Sequence, residues 1–454
     1  MTDLPPDFDP AYYNAVDQIF HSQWATQKLA RLTLMRRWIE QLWPHGHPTR
    51  FIHIAGTSGK GSTTRLLEAA LSTLAPAGGY YSPHLFDYRE RFSLNGQFAP
   101  RADITAAWEQ VVRPLCIDIH LATPHLIPAF PEITLLIALV LYERHGIEWA
   151  AIETGLGGRY DQTCALNVAA TLLTNVGNDH EHLLGEHLWQ RVLDKAGIAR
   201  PGVPFFTTVT GAESLAFVRG VCTHVGAPLH TVSDEQVQHL TAELTATLSP
   251  IANDHPLLNT RYQHRNAALA FATLRHLFPT LPPAQILTAF ASARLPGRFW
   301  EVGPHIYADV AHNPDKIATL ADQVRHNLPA EQSKYFVIGV SGHRPPLTML
   351  APLLPLAQAI IITSGFYRAQ PLADLQAALA QPAAQATLGE IPLHFVATPA
   401  EALTLAQRLR GPADAIILTG STFLIEQALG ADPYLRHINL TYGWRDKPPN
   451  QRRS

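Results

Sequence analysis

The sequence predicts an α/β protein of two domains with parallel-rich sheets, and three observations carry that prediction. Short apolar runs alternate with amphipathic stretches from residue 51 onward. The intervening stretches are long enough for the crossover helices that parallel strands require. One Pro- and Gly-containing segment, Arg294-Leu-Pro-Gly-Arg298, separates a helical pattern from a fresh series of strands. In chain order, Phe51–Ile54, Trp149–Ile152, Ala170–Asn175 and Pro204–Val209 read as buried strands. Each is short, apolar or β-branched, and bounded by Gly, Asn or Pro. Gly61–Leu74, Pro131–Arg144, His187–Ala199 and Tyr262–Leu277 carry helical spacing. Beyond residue 300 the strands are Ile306–Val310, Tyr335–Val340, Ala359–Thr363, Leu393–Val396 and Ala415–Thr419, with a helix over Pro399–Arg410. The polar stretch Val232–Leu258 reads as a second, softer break.

Composition narrows the function classes. At roughly 150 residues per domain, 454 residues make two or three domains. Apolar residues form 46% of the chain, and the 16% that are charged fall below the usual ~25%, which excludes a disordered polyelectrolyte. The balance of 34 Lys+Arg against 37 Asp+Glu leaves no global basic field, so neither nucleic acid nor an anionic membrane is expected as a partner. The longest apolar run, Ile133 to Leu141, is far short of the ~20 residues of a spanning helix. Met1–Tyr13 is acidic and Pro-rich, unlike a signal segment. Cys116, Cys164 and Cys222 have neither CxxC spacing nor an even count, which fits a reducing compartment. A cytoplasmic protein is expected.

Residues 51–62, Phe-Ile-His-Ile-Ala-Gly-Thr-Ser-Gly-Lys-Gly-Ser, run from an apolar strand through a glycine-rich turn into a helix. Such a turn lets successive N–H groups and the helix N-terminus face a triphosphate, with Lys60 as a point charge near its outer phosphates. The plain alternative is a strand–turn–helix capped by Ser62. The spacing is a compact G-T-x-G-K-G-S variant, since Ile54 and the inserted Gly61 break the common GxxxxGK[ST] pattern. Glu153 ends the strand Trp149–Ile152 and faces the turn Thr-Gly-Leu-Gly-Gly-Arg-Tyr-Asp161. A carboxylate there is costly unless it meets a cation, and Mg²⁺ is the hard cation a P-loop enzyme uses. His180, in Asn175-Val-Gly-Asn-Asp-His180, follows a strand edge that places it as a second candidate ligand.

Taken together, these segments resemble the folylpolyglutamate synthase/dihydrofolate synthase family of the Mur ligase superfamily. The matching segments are His53–Ser62, Ser82-Pro83-His84-Leu85 through Glu90-Arg91 and Asn95-Gly96, Glu153–Asp161, Asn175–His180 with Gly185, and Asp194-Lys195-Ala-Gly-Ile198. Asn266-Ala-Ala-Leu269, Pro296-Gly-Arg298, Asp309-Val-Ala-His-Asn-Pro314 and Thr419-Gly-Ser421 follow in the family's order. The resemblance implies an N-terminal P-loop ATPase domain with a parallel-rich central sheet, residues 1–295. A smaller Rossmann-like glutamate-ligase domain follows, residues 296–454.

By resemblance, Gly56, Thr57, Ser58, Gly59, Lys60, Gly61 and Ser62 cradle the ATP phosphates. Ser82, Glu153 and His180 hold magnesium, and Lys195 matches a lysine that in this family is carbamylated to become a metal ligand. Two ions are implied. Asn266, Arg298 and Asp309 match ATP-contacting positions; His312 and Ser421 match positions on the glutamate side. Lys60, Lys195, His312 and Asp309 are the catalytic candidates. Their plain readings are a surface lysine at Lys195, a buried amide at Asn266, a linker ion pair at Arg298, and helix caps at Asp309 and Ser421. The family pattern departs at Arg31–Ile39, at Ser58 and at Gly339–Pro345.

The implied reaction activates a carboxylate with ATP as an acyl phosphate, which the amino group of L-glutamate attacks, releasing ADP and phosphate. This chemistry needs positioning and charge neutralisation rather than a protein nucleophile, consistent with the lack of a GxSxG motif. A site shared by two domains predicts closure about residues 294–298, which would exclude water from the acyl phosphate. By resemblance, a monomer acting on small molecules is expected. Alternatives are a Mur-superfamily ligase for a non-folate carboxylate, a nucleotide binder without catalysis, and a nucleic-acid motor, the last disfavoured by charge.

Overall fold

The computed structural model describes residues 9, 11–12, 15–16, 19, 28–123, 126–177, 184–248, 261–293, 297–342 and 344–430. The chain divides into two compact units. The first comprises residues 1–253, 263–294 and 440–454; the second comprises 254–262 and 295–439.

Among the described residues, the first unit holds β1 (Arg50–Ala55), β2 (Ala77–Tyr80), β3 (Phe92–Leu94), β4 (Gln97–Phe98), β5 (Trp149–Glu153), β6 (Val168–Leu173), β7 (Phe205–Thr207) and β8 (Leu229–Thr231). They form one sheet in the order β4-β3-β2-β5-β1-β6-β7-β8. From β2 to β8 the neighbours are parallel, and β3 and β4 add an antiparallel edge. β5 and all but the first residue of β1 are buried, which is why they read as continuous apolar runs rather than alternating ones. The helix Phe130–Arg144 is buried continuously from Glu132 to Tyr142, as a helix apolar all round must be. Arg31–Ile39, where the family pattern departs, lies within the helix Lys28–Leu42. Arg31 ties that helix to Glu132 by a buried ion pair, with Nε 2.9 Å from the carboxylate.

The second unit holds β9 (Trp300–Gly303), β10 (Ile306–Ala308), β11 (Lys334–Ile338), β12 (Ala357–Thr363), β13 (Leu393–Val396) and β14 (Ala415–Thr419), in the order β13-β12-β11-β14-β10-β9. All are parallel except β9 against β10. Phe336, Ile338, Ile360, Ile362 and Ile417 form its centre, packed by Ile317, Leu320 and Val324 of the helix Pro314–Asn327. Each such side chain contributes about 1.5–3 kcal/mol by leaving water.

Within Val232–Leu258, read as a softer break, the first unit gives way to the second between residues 253 and 254, and the first part is the helix Asp234–Leu248. Its Val237, Leu240 and Leu244 are buried at helical spacing, so the polar composition belongs to its outer face. Residues 249–258 lie outside the described residues. Among the described residues, no helix is long and apolar enough to cross a membrane.

His53, in the middle of β1, is fully buried, and burial with the charge of Arg200 pushes its pKa down to about 3. The unfolded chain therefore binds a proton below pH ~6.5 that the folded chain refuses. Stability from this residue is present above that pH and lost as pH falls toward 3, at about 1.4 kcal/mol per unit. Urea midpoints measured from pH 7 to 4 are expected to fall less steeply in His53→Gln than in the wild type; equal slopes would reject the neutral buried imidazole.

Candidate active site

The site of the first unit forms at the C-terminal edge of the parallel strands, where open α/β sheets bind ligands. In-register pairing of Ile54 with Glu153, and of Ala55 with Leu173, brings the ends of β5, β1 and β6 side by side. The turn after β1 is shaped by two glycines. Gly56 has φ +152°, and a Cβ there would lie 1.9 Å from Thr174 Oγ1. Gly59 is left-handed at φ +82°, and a Cβ there would lie 2.3 Å from Asn266 Oδ1. Only glycine meets both demands at each position.

Residues after β6 hold the turn in place. Thr57 N donates to Asn175 O (3.1 Å) and Ser58 N to Asn175 Oδ1 (2.9 Å). Thr174 Oγ1 donates to Ser58 O (2.6 Å), while Gly177 N donates to Thr57 Oγ1 (3.0 Å). The helix Lys60–Leu71 then starts at Gly59, an N-cap with no side chain to occupy its first amides. Those amides and the helix dipole are available to an anion.

Cations and a carboxylate converge on the turn. Lys60 Nζ donates to Gly56 O at 3.1 Å and lies 3.9 Å from Glu153 Oε1. Lys195, buried on the helix Leu188–Ala196, donates to the same Gly56 carbonyl at 3.5 Å. Glu153 is buried, and Ser82 N donates to its Oε2 at 3.3 Å. Asn266 lies over Gly59 and donates to Gln263 Oε1 (3.0 Å); Gln263 in turn donates to Ser62 Oγ (3.2 Å). Lys60, Lys195, Glu153, Ser82, Asn266 and residues 56–62 are thus brought together. His180 lies outside the described residues. Among the described residues, no group of three or more His, Cys, Asp or Glu is placed to hold a metal. The oxygen donors of Glu153 and Ser82 fit a hard divalent cation whose remaining positions are filled by phosphate and water.

In the second unit, Asp309 follows β10 and is buried. Its carboxylate accepts from Phe299 N and Ala311 N, both at 2.8 Å. Burial pushes its pKa up, opposed by the Arg298 guanidinium and those two amides. Arg298 Nη1 lies 3.4 Å from Gly297 O. His312 donates from Nδ1 to Val310 O (2.7 Å), and Lys316 Nζ lies 3.1 Å from its Nε2, which sets the proton on Nδ1. Ser421 caps the helix Thr422–Ala428, accepting from Phe423 N at 3.3 Å. β14 pairs with β10, and Gly420 N donates to Ala311 O (2.8 Å), so the Asp309–His312 and Thr419–Ser421 turns adjoin.

Gln263, Thr174 and Arg191 also serve the site without a sequence signal of their own. Asn175 opens the segment Asn175–His180, but its service to the turn depends on β6 lying beside β1. Arg191, 2% exposed, had no sequence signal beyond its place one turn before Lys195. It donates to Gly177 O, Gly185 O and Glu186 O at 2.8–3.1 Å.

A glycine-rich turn at the edge of one parallel sheet, with residues 297–422 matching the family model described as Mur ligase, glutamate ligase domain, points to a ligase of the Mur type. The chain is 32% identical over 305 residues to the dihydrofolate synthase/folylpolyglutamate synthase of Escherichia coli, covering 64% of this chain and 68% of that one. It belongs to the folylpolyglutamate synthase/dihydrofolate synthase family, whose members are ATP-dependent folate–glutamate ligases. It is also 28% identical over 438 residues to a probable bifunctional folylpolyglutamate synthase/dihydropteroate synthase of Haloferax volcanii, over 92% of this chain but only half of that longer protein. The fold matches that of the bifunctional folylpolyglutamate synthase/dihydrofolate synthase of Yersinia pestis complexed with AMPPNP and Mn ion, with a TM-score of 0.74 at 22% identity, covering 94% and 99% of the two chains.

Proposed function

We propose that this protein joins a folate-type carboxylate, dihydropteroate or a tetrahydrofolate, to the amino group of L-glutamate at the expense of ATP. The observation that carries the reading is the convergence of Lys60 and Lys195 on the Gly56 carbonyl beside the buried Glu153. The ADP-forming step places negative charge on a transferring phosphoryl group, and a lysine on a glycine-rich turn neutralises it without a covalent intermediate on the protein. AMPPNP and manganese in the Yersinia relative support ATP and a divalent metal as the partners of this turn.

The substrate carboxylate oxygen attacks the γ-phosphorus, the bond to ADP breaks, and the acyl phosphate forms. The glutamate amine then attacks the acyl carbon, and phosphate leaves with the bonding pair. In the first unit, residues 56–62 hold the nucleotide's phosphates, with Asn266 beside them; Arg298 and Asp309 of the second unit match further ATP-contacting positions. Glu153 and Ser82, with His180 and a carbamylated Lys195, would hold the magnesium ions; these supply charge neutralisation for the phosphates. Ser421 and His312 serve the glutamate side. With Nε2 engaged by Lys316, His312 orients glutamate rather than receiving its proton unaided. The protein acts in the cytoplasm as a monomer.

ADP release is measured with MgATP and glutamate, adding dihydropteroate, tetrahydrofolate or neither. Release that needs both glutamate and a pteridine, with a product heavier by one glutamyl unit, is expected. ATP binding without pteridine-dependent release would move the substrate to another carboxylate. For the carbamate, Lys195→Ala is expected to lose about 10- to 100-fold in kcat and to recover part of it with short carboxylic acids. A full-rate variant needing no rescue would remove Lys195 from the site.

A further inference from the structure

We infer that His53 is a positioning residue for this site, acting through Thr163 and Asp161 on the turn that follows Glu153. The inference rests on the assignment of Glu153 and Lys195 to metal and phosphate, and deepens it.

His53 lies on β1 three residues before Gly56, and its Nε2 is 2.7 Å from Thr163 Oγ1. A threonine hydroxyl has one proton, and Thr163 gives it to Asp161 Oδ1. Its oxygen therefore accepts from His53, so the imidazole proton sits on Nε2 and the lone pair on Nδ1. Nδ1 is buried and meets no donor among the described residues, consistent with a neutral ring. Asp161 also accepts from Thr163 N at 3.0 Å.

The other Asp161 oxygen accepts from Gly155 N (3.0 Å) and Leu156 N (3.2 Å). These amides open the turn that begins two residues after Glu153. At its far side, Arg159 N donates to Asp194 O (2.9 Å), one residue before Lys195. A single buried chain, His53 to Thr163 to Asp161, thus runs from the strand that launches the phosphate turn to the loop joining Glu153 with the Lys195 helix. Removing its first donor leaves the Thr163 oxygen unsatisfied and frees the hydroxyl to turn from Asp161. The carboxylate then holds Gly155 and Leu156 less firmly. Outer partners of this kind usually change metal affinity 10- to 100-fold.

The test is Mn²⁺ binding to the full chain in the presence of ADP, read as free Mn²⁺ by electron paramagnetic resonance, with metal-free ADP affinity as the control. His53→Leu and Thr163→Val are expected to weaken Mn²⁺ at least tenfold while metal-free ADP binding stays within twofold. His53→Gln, whose amide N–H reaches the same hydroxyl, is expected to stay within threefold of the wild type. Thermal melts establish folding, and if His53→Leu does not fold, the comparison of His53→Gln with Thr163→Val decides. Unchanged Mn²⁺ affinity in the folded variants that remove the donor or the hydroxyl would overturn the inference, as would equal weakening by Leu and Gln. A wild type that binds no Mn²⁺ with ADP would instead overturn the reading on which it rests.

Discussion

Lys60→Ala is expected to lower kcat about a thousandfold, with the melting temperature within a few degrees of the wild type. The ammonium lies 3.1 Å from the Gly56 carbonyl and 3.9 Å from Glu153, inside the turn proposed to hold the phosphates. Its contribution to folding is small, since among the described residues it forms one hydrogen bond and one long ion pair. Its contribution to phosphoryl transfer is large, because charge developing there has few other protein cations to meet it. Single preorganised donors to a developing anion are worth about 10²–10³ in rate, and a full charge on transferring phosphate about 10³ or more. Steady-state ADP release with saturating MgATP, glutamate and acid measures this. Near-normal turnover would reject the phosphate assignment of the turn.

Gly56→Ala is expected to weaken ATP binding at least 100-fold and to lower stability by about 1–3 kcal/mol from backbone strain alone. The added methyl would also lie 1.9 Å from Thr174 Oγ1. Relief of that contact distinguishes collision from strain. The double variant Gly56→Ala, Thr174→Ala is expected to regain part of the lost stability, with a coupling of about 0.5–3 kcal/mol typical of residues in contact. Recovery stays partial, because the positive φ remains and Thr174 loses its bond to Ser58 O. Calorimetric melts and ATP titration of the four species measure the cycle. Wild-type ATP affinity in the single variant, or zero coupling, would mean that the turn rearranges freely.

The two parallel-rich sheets were legible because buried parallel strands are apolar on both faces. A strand such as Ala415–Thr419 therefore stands out with sharp ends. β2, Ala-Gly-Gly-Tyr, was not legible: glycine disfavours a strand, and the segment is one only because β3 and β5 flank it while Gly78 leaves room for the Tyr142 ring and Gly79 for that of Tyr81. The helix Asp234–Leu248 was hidden by its polar face. At the candidate site, residues bearing charge next to glycine-rich turns were visible from sequence. Gln263 and Arg191 were not, since a polar residue on a helix shows its partner only after packing.

The sequence by itself determined the apolar central strands, such as β1, β5, β11 and β14, and helices with a clear apolar stripe, because hydrophobic period and turn residues act over a few positions. It also determined that a lysine and small residues follow an apolar strand in the pattern of a phosphate turn. The tertiary structure decided that β5 and β6 flank β1, and therefore that Glu153 and Asn175 meet residues about 100 positions away. It also decided that Lys60 and Lys195 share one carbonyl and that Asn266 closes over Gly59. Strand order and register set those distances, and both arise from burying two faces of a whole sheet at once, a condition no local segment carries.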